Sequence, residues 1–503
     1  MSLAELLRGL ADVDDRGLHH ADEFISWRSH VALSTAIGSG VRRRLSTDHP
    51  PHVGVLSDNS VEFSLLLGAA ALGWFVVVGL NTTRRGDALA ADVARADCQL
   101  VLASPAHRRL LDGVDLGGVP VVEIGGDEWH GLASKESEVS EGDPATNGDL
   151  MMLIFTSGTT GDPKAVRCTQ RTFAASGQML AERFEIGAAD VVYLSMPMFH
   201  SNAVIAGWSV ALAGGASIAV RDKFSARGFL SDVRRYGVTF ANYVGKPLNY
   251  VLATPELPDD ADNPLRVMYG NEASATDRRR FAERFGCRVI DGFGSTEGGV
   301  AITRTPDTPP DALGPLRSPV AVVDPESGEP AARGVVGEIV NSSGPGLFSG
   351  YYRDDDATAD RMRGGVYHTG DLAWVDDAGY LHFAGRLGDW MRVDGENIGT
   401  GPIERILLRH PAVRQVAVYG VLVEIGDEIV ADLVTDTGLD PVDFTDFLAA
   451  QPDLGPKQWP HRVRLLDTLP ETATFKTVKR TLREQATLPD WVRDGRTYRH
   501  VSR

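Results

Sequence analysis

The chain has 503 residues, too many for one hydrophobic core, so two or more domains are expected. Its composition, 43% hydrophobic and 23% charged, is that of an ordinary globular protein. A net charge of −18, from 50 Lys and Arg against 68 Asp and Glu, argues against a nucleic-acid surface and means that an anionic ligand must be met by local positive charge.

Residues 1–8 mix acid and base and contain no apolar signal region. The longest uncharged apolar run, residues 65–80, is short for a membrane span and is broken by Gly68, Gly73 and Gly79. It reads as a buried helix ending near Gly73, followed by a strand. No membrane span is expected, which leaves peripheral membrane contact open. Cys98, Cys168 and Cys287 stand far apart without a CxxC spacing, so neither a zinc site nor a disulfide framework is expected, and a reducing cytoplasm suits them.

In chain order, 53–56 reads as a strand, 60–73 as a helix, 75–78 as a strand, 87–96 as a helix and 99–103 as a strand. The polar stretch 125–149 reads as a surface connection. It leads into the apolar run 150–155, short enough for a buried strand. The same rhythm returns with strands at 191–195, 216–220 and 238–242 and helices at 202–213 and 225–236. Strands alternating with helices of this length predict parallel sheets. Residues 303–319 are irregular and Pro-rich. Beyond about 388 the pattern changes to strands at 413–423 and 428–434, a helix at 441–451, a short strand at 462–466 and a final basic helix at 476–485. The boundary is placed at Leu387-Gly388, where a flexible glycine separates two patterned blocks.

The most informative segment is Thr156-Ser157-Gly158-Thr159-Thr160-Gly161-Asp162-Pro163-Lys164, directly after the 150–155 run. Glycines let successive N–H groups converge on an anion, hydroxyls add donors and Lys164 adds charge, a combination suited to a polyphosphate. The spacing is not the Walker pattern. A plain polar strand-to-helix turn is the alternative. A second segment, Val289-Ile290-Asp291-Gly292-Phe293-Gly294-Ser295-Thr296-Glu297-Gly298, reads as a loop after a strand. In it Phe293 would lie against a planar base, Thr296 would bond a phosphate oxygen and Glu297 would hold a hard cation such as Mg²⁺. Tyr367-His368-Thr369-Gly370-Asp371 and Gly385-Arg386-Leu387-Gly388-Asp389-Trp390-Met391-Arg392 complete the set. An Asp in a tight turn usually bonds its own backbone, so Asp371 gains meaning only from its company.

Taken together and in order, these segments resemble the adenylate-forming superfamily of acyl-CoA synthetases, luciferases and peptide-synthetase adenylation domains, over nearly the whole chain. The run from Arg386 to Arg392 into Gly395-Glu396-Asn397-Ile398 looks most like long- and very-long-chain fatty acyl-CoA synthetases, including the fatty-acid transport type, and bacterial synthetases of steroid side-chain acids. The resemblance implies an α/β fold with a large N-terminal domain, 1–387, of parallel-rich sheets flanked by helices. A small mobile α+β lid, 388–503, would carry the catalytic lysine.

It implies ATP, Mg²⁺ and CoA as partners of a carboxylic acid, and residue roles with them. The loop 156–164, with Thr156, Ser157, Gly158, Thr159, Thr160, Gly161 and Lys164, would close over the β- and γ-phosphates. Tyr269, Gly270, Asn271, Glu272 and Phe293 would bracket adenine, within the ATP-contacting stretch that includes Asp291, Gly292, Gly294 and Ser295. Thr296 would touch the α-phosphate and Glu297 would hold Mg²⁺. Asp371, helped by Arg386, would accept the ribose hydroxyls. His200 would gate the acyl pocket, or be a satisfied histidine at a strand end. Lys476 would meet charge building at the carboxylate and α-phosphate. Gly388 would be the hinge, with Arg392, Gly395 and Glu396 near CoA.

Three positions depart from the pattern. Gly388 stands where Asp or Lys is common, Phe475 replaces a glycine, and Thr169-Gln170 stands where Ser-His is frequent. The expected activity is an AMP-forming acid–thiol ligase. The alternatives are an acyl-AMP ligase loading a carrier protein in trans, since no carrier-like segment follows Lys476, and a catalytically weak acyl-binding protein. A homodimer is left open. Trp208 and Tyr243 would line the acyl pocket or pack the core.

Overall fold

The computed structural model describes residues 1–132, 145–156, 163–387, 390–393, 396–423, 427–436, 438–472, 477–485 and 488–501, without the side chains of Trp390, Arg392, Glu396 and Asn397. The fold is α/β and rich in parallel strands. Two compact units divide it: Met1–Arg304 with Gly344–Gly365, and Thr305–Ser343 with Val366–Arg503.

The first unit holds two sheets. In one, His52–Leu56, Val76–Gly79, Leu100–Ala103, Val121–Glu123 and Leu150–Thr156 are parallel, and Lys164–Thr169 closes one edge antiparallel. In the other, Gly17–His20, Ser217–Val220, Val191–Leu194, Phe240–Val244, Val267–Asn271 and Arg288–Gly294 are parallel, with antiparallel strands at both edges. The strands are apolar because parallel strands are buried on both faces.

The helix Val61–Ala71 starts where Ser60 Oγ accepts from Phe63 N at 3.1 Å. Every one of its residues except Glu62 is buried, so it is enclosed on all sides and has no solvent stripe to align. Gln170, one of the departures from the family pattern, is fully buried. Its side chain accepts from Ala4 N at 3.2 Å and donates to Ala71 O at 2.9 Å, tying the N-terminal helix to the end of Val61–Ala71. Trp208 and Tyr243 are both interior, and Trp208 Nε1 donates to Ser64 Oγ at 2.9 Å.

That serine also meets His30, whose Nε2 is 3.0 Å from Ser64 Oγ in a fully buried site. Burial lowers the His30 pKa from 6.5 to about 4, against the opposing hydrogen bond from Ser64. A depressed histidine stabilises the fold fully above its unfolded pKa, and that stability is lost as pH falls toward the folded value. Unfolding free energy is therefore expected to drop by about 3 kcal/mol between pH 7.5 and pH 4 from this residue. Urea titrations across that range should show a flatter profile for His30→Gln; identical profiles would exclude His30 as the source.

The second unit has an antiparallel sheet of Gly314–Pro315, Tyr380–Arg386, Val366–Val375, Gly337–Asn341 and Val320–Val323. A second sheet of Val413–Leu422, Asp427–Thr435, Arg462–Leu465, Trp491–Asp494 and Thr497–His500 packs on its own apolar cluster around Phe444, Trp491 and Ile403. The helix Thr400–Leu407 is held to the first of these sheets through Arg405 Nη1, which donates to Phe383 O at 2.8 Å. Contacts of this kind group 366–386 with the C-terminal residues in one compact unit.

Several elements differ from expectation. A helix, Asp127–Leu132, forms inside the polar stretch read as a connection, anchored by buried Trp129 and Leu132. The helix read as 202–213 contains a π-helical segment, Val204–Trp208. The chain does not finish on the basic helix Lys479–Glu484 but adds the hairpin Trp491–Asp494 and Thr497–His500, driven by burial of Trp491 and Tyr498.

Candidate active site

The strands Leu150–Thr156 and Lys164–Thr169 pair antiparallel with Thr156 opposite Lys164. The strands flanking the hydroxyl- and glycine-rich segment thus lie side by side in the sheet, and a strand, not a helix, begins at Lys164. Ser157, Gly158, Thr159, Thr160 and Gly161 lie outside the described residues. Lys164 Nζ lies 5.2 Å from the centre of the Tyr351 ring, and the Tyr351 hydroxyl donates to Glu297 Oε1 at 3.0 Å.

Next to Glu297, Thr296 Oγ1 is 2.8 Å from Ser201 Oγ. Ser201 opens the helical segment directly after His200, whose half-buried ring tilts against Phe199 at 4.4 Å. Asn202 fixes this segment to the sheet: it donates to Tyr243 O at 3.2 Å and accepts from Asn242 Nδ2 at 2.6 Å. The Tyr243 hydroxyl in turn donates to Asp291. Asp291 also accepts from Ala273 N at 3.2 Å and pairs with Arg278 at 3.1 Å. Burial raises its carboxyl above the ordinary range, with Arg278 opposing.

Gly270 and Gly292 are required by close approach. A methyl group on Gly270 would overlap the Tyr243 carbonyl oxygen, and one on Gly292 would overlap the Tyr269 hydroxyl. Asn271 Oδ1 is buried with no hydrogen-bond partner among the described residues. Glu272 then takes φ +68°, a left-handed conformation rare outside glycine and typical of functional turns. Residues 292–294 are not loop, as their glycines suggested. Gly292, Phe293 and Gly294 continue the strand Arg288–Gly294 and pair with Ala301–Thr303, so the turn begins at Ser295.

In the second unit Asp371 is not in a tight turn. It lies on the long strand Val366–Val375, opposite Arg386, whose Nε donates to its carboxylate at 3.2 Å. Two residues to which the sequence reading gave no role shape this position. Glu338, almost fully buried, accepts from Gly370 N at 2.8 Å and meets His368 Nδ1 at 2.8 Å. They hold Gly370 at φ +72° just before Asp371. A lone acid inside the otherwise apolar run 335–340 was the available signal for Glu338.

Arg392 lies on Trp390–Val393, opposite Asn397 on the strand Glu396–Gly399. Gly388, Gly395 and Lys476 lie outside the described residues. The segment holding Lys476 is tied at both flanks, by a bridge between Glu471 and Thr477 and by Val478 N donating to Pro470 O at 2.8 Å. Lys479, three residues later, is committed to Glu404 and Thr400, each at 2.9 Å.

With this geometry in hand, comparison with known proteins is decisive. The AMP-binding enzyme model matches residues 11–352, and the AMP-binding enzyme C-terminal domain matches 402–476. The chain belongs to the AMP-binding enzyme family. It is 56% identical over 486 residues to a medium/long-chain-fatty-acid–CoA ligase, FadD17, of Mycobacterium tuberculosis, covering 96% of each chain. It is 43% identical over 512 residues to a steroid-22-oyl-CoA synthetase of Rhodococcus jostii, covering 97% of this chain and 91% of that one. Among solved structures, ATP-bound MatB from Rhodopseudomonas palustris superposes with a TM-score of 0.86 at 25% identity, over 96% of this chain and 99% of that one. As a family member the chain is an adenylate-forming enzyme.

Proposed function

We propose that this protein is an ATP-dependent acyl-CoA synthetase that activates a medium- to long-chain fatty acid or a steroid side-chain acid. The reaction runs through an acyl-adenylate. A carboxylate oxygen attacks the α-phosphorus of ATP and pyrophosphate leaves; the CoA thiol then attacks the acyl carbon and AMP leaves. The observation that carries this reading is a continuous line of contacts in the first unit. It runs from Lys164 through Tyr351 to Glu297, and from the adjacent Thr296 through Ser201 to the His200 segment. The residues proposed for phosphate charge, for the cation and for the acyl side are linked by these contacts. The relatives that act on fatty and steroid acids support the substrate class.

Roles follow from chemistry. The orphaned Asn271 acceptor suits the exocyclic amino group of adenine. Asp371 would accept ribose hydroxyls and Arg386 would hold its carboxylate in place. Among the described residues no group of three or more His, Cys, Asp or Glu could hold a metal ion. Mg²⁺ takes one or two carboxylates and completes its shell with phosphate oxygens and water. Glu297 would hold it, where it neutralises phosphate charge. Lys476 would act in the first step alone. Gly388 would be the hinge of a lid formed by 388–503, and Arg392, Gly395 and Glu396 would approach CoA. The three thiols are free and buried, with Cys287 pushed up to about 12 by burial, which suits the reducing cytoplasm proposed as the site of action. No helix among the described residues is long and apolar enough to cross a membrane.

A panel of acids assayed for pyrophosphate release, with and without CoA, tests the reading. Release with fatty or steroid side-chain acids, and thioester formed with CoA, is the expected result. Adenylate without thioester for every acid would favour a carrier protein as acceptor instead.

A further inference from the structure

We propose that Tyr351 is a positioning residue for nucleotide activation, holding the Glu297 carboxylate and the Lys164 ammonium in one fixed relation to the Mg²⁺-bound polyphosphate. The proposal rests on the roles given to Glu297 and Lys164 above. Tyr351 is itself far from solvent, with 4% of its surface exposed, and has no need to touch substrate.

Three charged side chains converge on its phenol. Glu297 Oε1 lies 3.0 Å from the hydroxyl, Arg361 Nε lies 3.3 Å from the same oxygen, and Lys164 Nζ sits over the ring at 5.2 Å from its centre. The guanidinium can only donate, so the hydroxyl oxygen accepts from Arg361 and its single proton is directed to Glu297. The carboxylate therefore receives a donor from a group that cannot rotate away without losing Arg361. The ammonium lies within the range of a cation–π contact with the ring.

The ring cannot shift independently of Lys164 either. Residues 350–352 lie alongside the strand Lys164–Thr169: Arg167 N donates to Gly350 O at 3.1 Å, Tyr352 N donates to Ala165 O at 2.8 Å, and Tyr351 bridges Val166. The Tyr351 N–H is satisfied by Thr358 Oγ1 at 2.9 Å, and Phe348 packs edge-on against the ring at 5.3 Å. One rigid side chain thus joins the strand that ends the phosphate segment to the turn that carries the cation ligand. Nothing in the sequence spacing indicates this, because Tyr351 is 54 residues from Glu297.

The discriminating substitution is Tyr351→Phe, which keeps the ring over Lys164 and removes only the proton given to Glu297. The Mg²⁺ concentration for half-maximal acid-dependent ATP–pyrophosphate exchange is expected to rise about tenfold, the effect of losing one hydrogen bond to a charged group. The Michaelis constants for acid and CoA should not move. Mg²⁺·ATP binding by titration calorimetry, which needs no turnover, should weaken by the same factor, with a melting temperature near that of wild type. Glu297→Gln should raise the Mg²⁺ requirement by itself, and adding Tyr351→Phe to it should have little further effect, since interacting residues are non-additive. Unchanged Mg²⁺ dependence and Mg²⁺·ATP affinity in Tyr351→Phe, with Glu297→Gln impaired, would overturn the positioning role alone. Unchanged Mg²⁺ dependence in Glu297→Gln would overturn the cation-ligand reading and this proposal with it. If Tyr351→Phe melts early, the shortened Glu297→Asp, which withdraws the carboxylate from the phenol, should show the same Mg²⁺ shift; wild-type behaviour there would also overturn it.

Discussion

Replacing Lys476 with alanine is expected to slow acyl-adenylate formation by about 10²–10³ while leaving thioester formation from supplied acyl-AMP nearly intact, the cost of removing one charge-stabilising group from a preorganised site. The reason is chemical. Negative charge on the carboxylate and α-phosphate is densest as the first bond forms, whereas the second step attacks an acyl carbon already bound to AMP. Lys479 is the internal control. It is engaged by Glu404, which also accepts from Val418 N at 2.8 Å, and by Thr400, so Lys479→Ala should lower the stability of its unit and spare the ratio of the two steps. The two half-reactions are measured separately, by pyrophosphate exchange and by thioester formed from preformed adenylate. Equal losses in both for Lys476→Ala would sink its assignment.

The second large effect is on nucleotide affinity. Asp371→Ala should weaken ATP binding by about 3 kcal/mol, roughly 10²-fold, because a carboxylate accepting two ribose hydroxyls makes two hydrogen bonds to a charged group. The Michaelis constant for the acid should stay close to wild type. Asp371 is buried and its N–H is satisfied by Thr369 Oγ1 at 2.9 Å, a bond that alanine retains, so the strand should survive the change. Asp371→Asn, which keeps one acceptor oxygen, should fall between the two. Fluorescent ATP-analogue binding to the three proteins checks the series, and equal affinity in all three would remove Asp371 from the nucleotide site.

Residue order was enough to read much of the first unit. Buried parallel strands such as Val76–Gly79 and Leu100–Ala103 are continuous apolar runs, and the break at Gly73, at φ +92°, marks the helix end before the next strand. Site candidates stand out in the sequence where local chemistry carries the signal: hydroxyls and glycines at 156–161, and the acid of Glu297. It was misread where glycine has a packing reason. Gly292 is glycine because Tyr269 lies against it within a strand, and a turn-like composition resulted without a turn. Asp371 reads as a turn residue because Gly370, at φ +72°, precedes it, although Val366–Val375 continues past it.

The sequence by itself pointed to the family through short motifs, and to much of the order of strands and helices through periodicity, because both are carried by residues close together along the chain. Which side chains touch which was decided by tertiary structure. Tyr351 meets Glu297, Ser201 meets Thr296 and Glu338 meets His368 across separations of 54, 95 and 30 residues. Contacts at such distances are set by strand register and by the burial of polar groups that must find partners, and no local pattern along the chain encodes them.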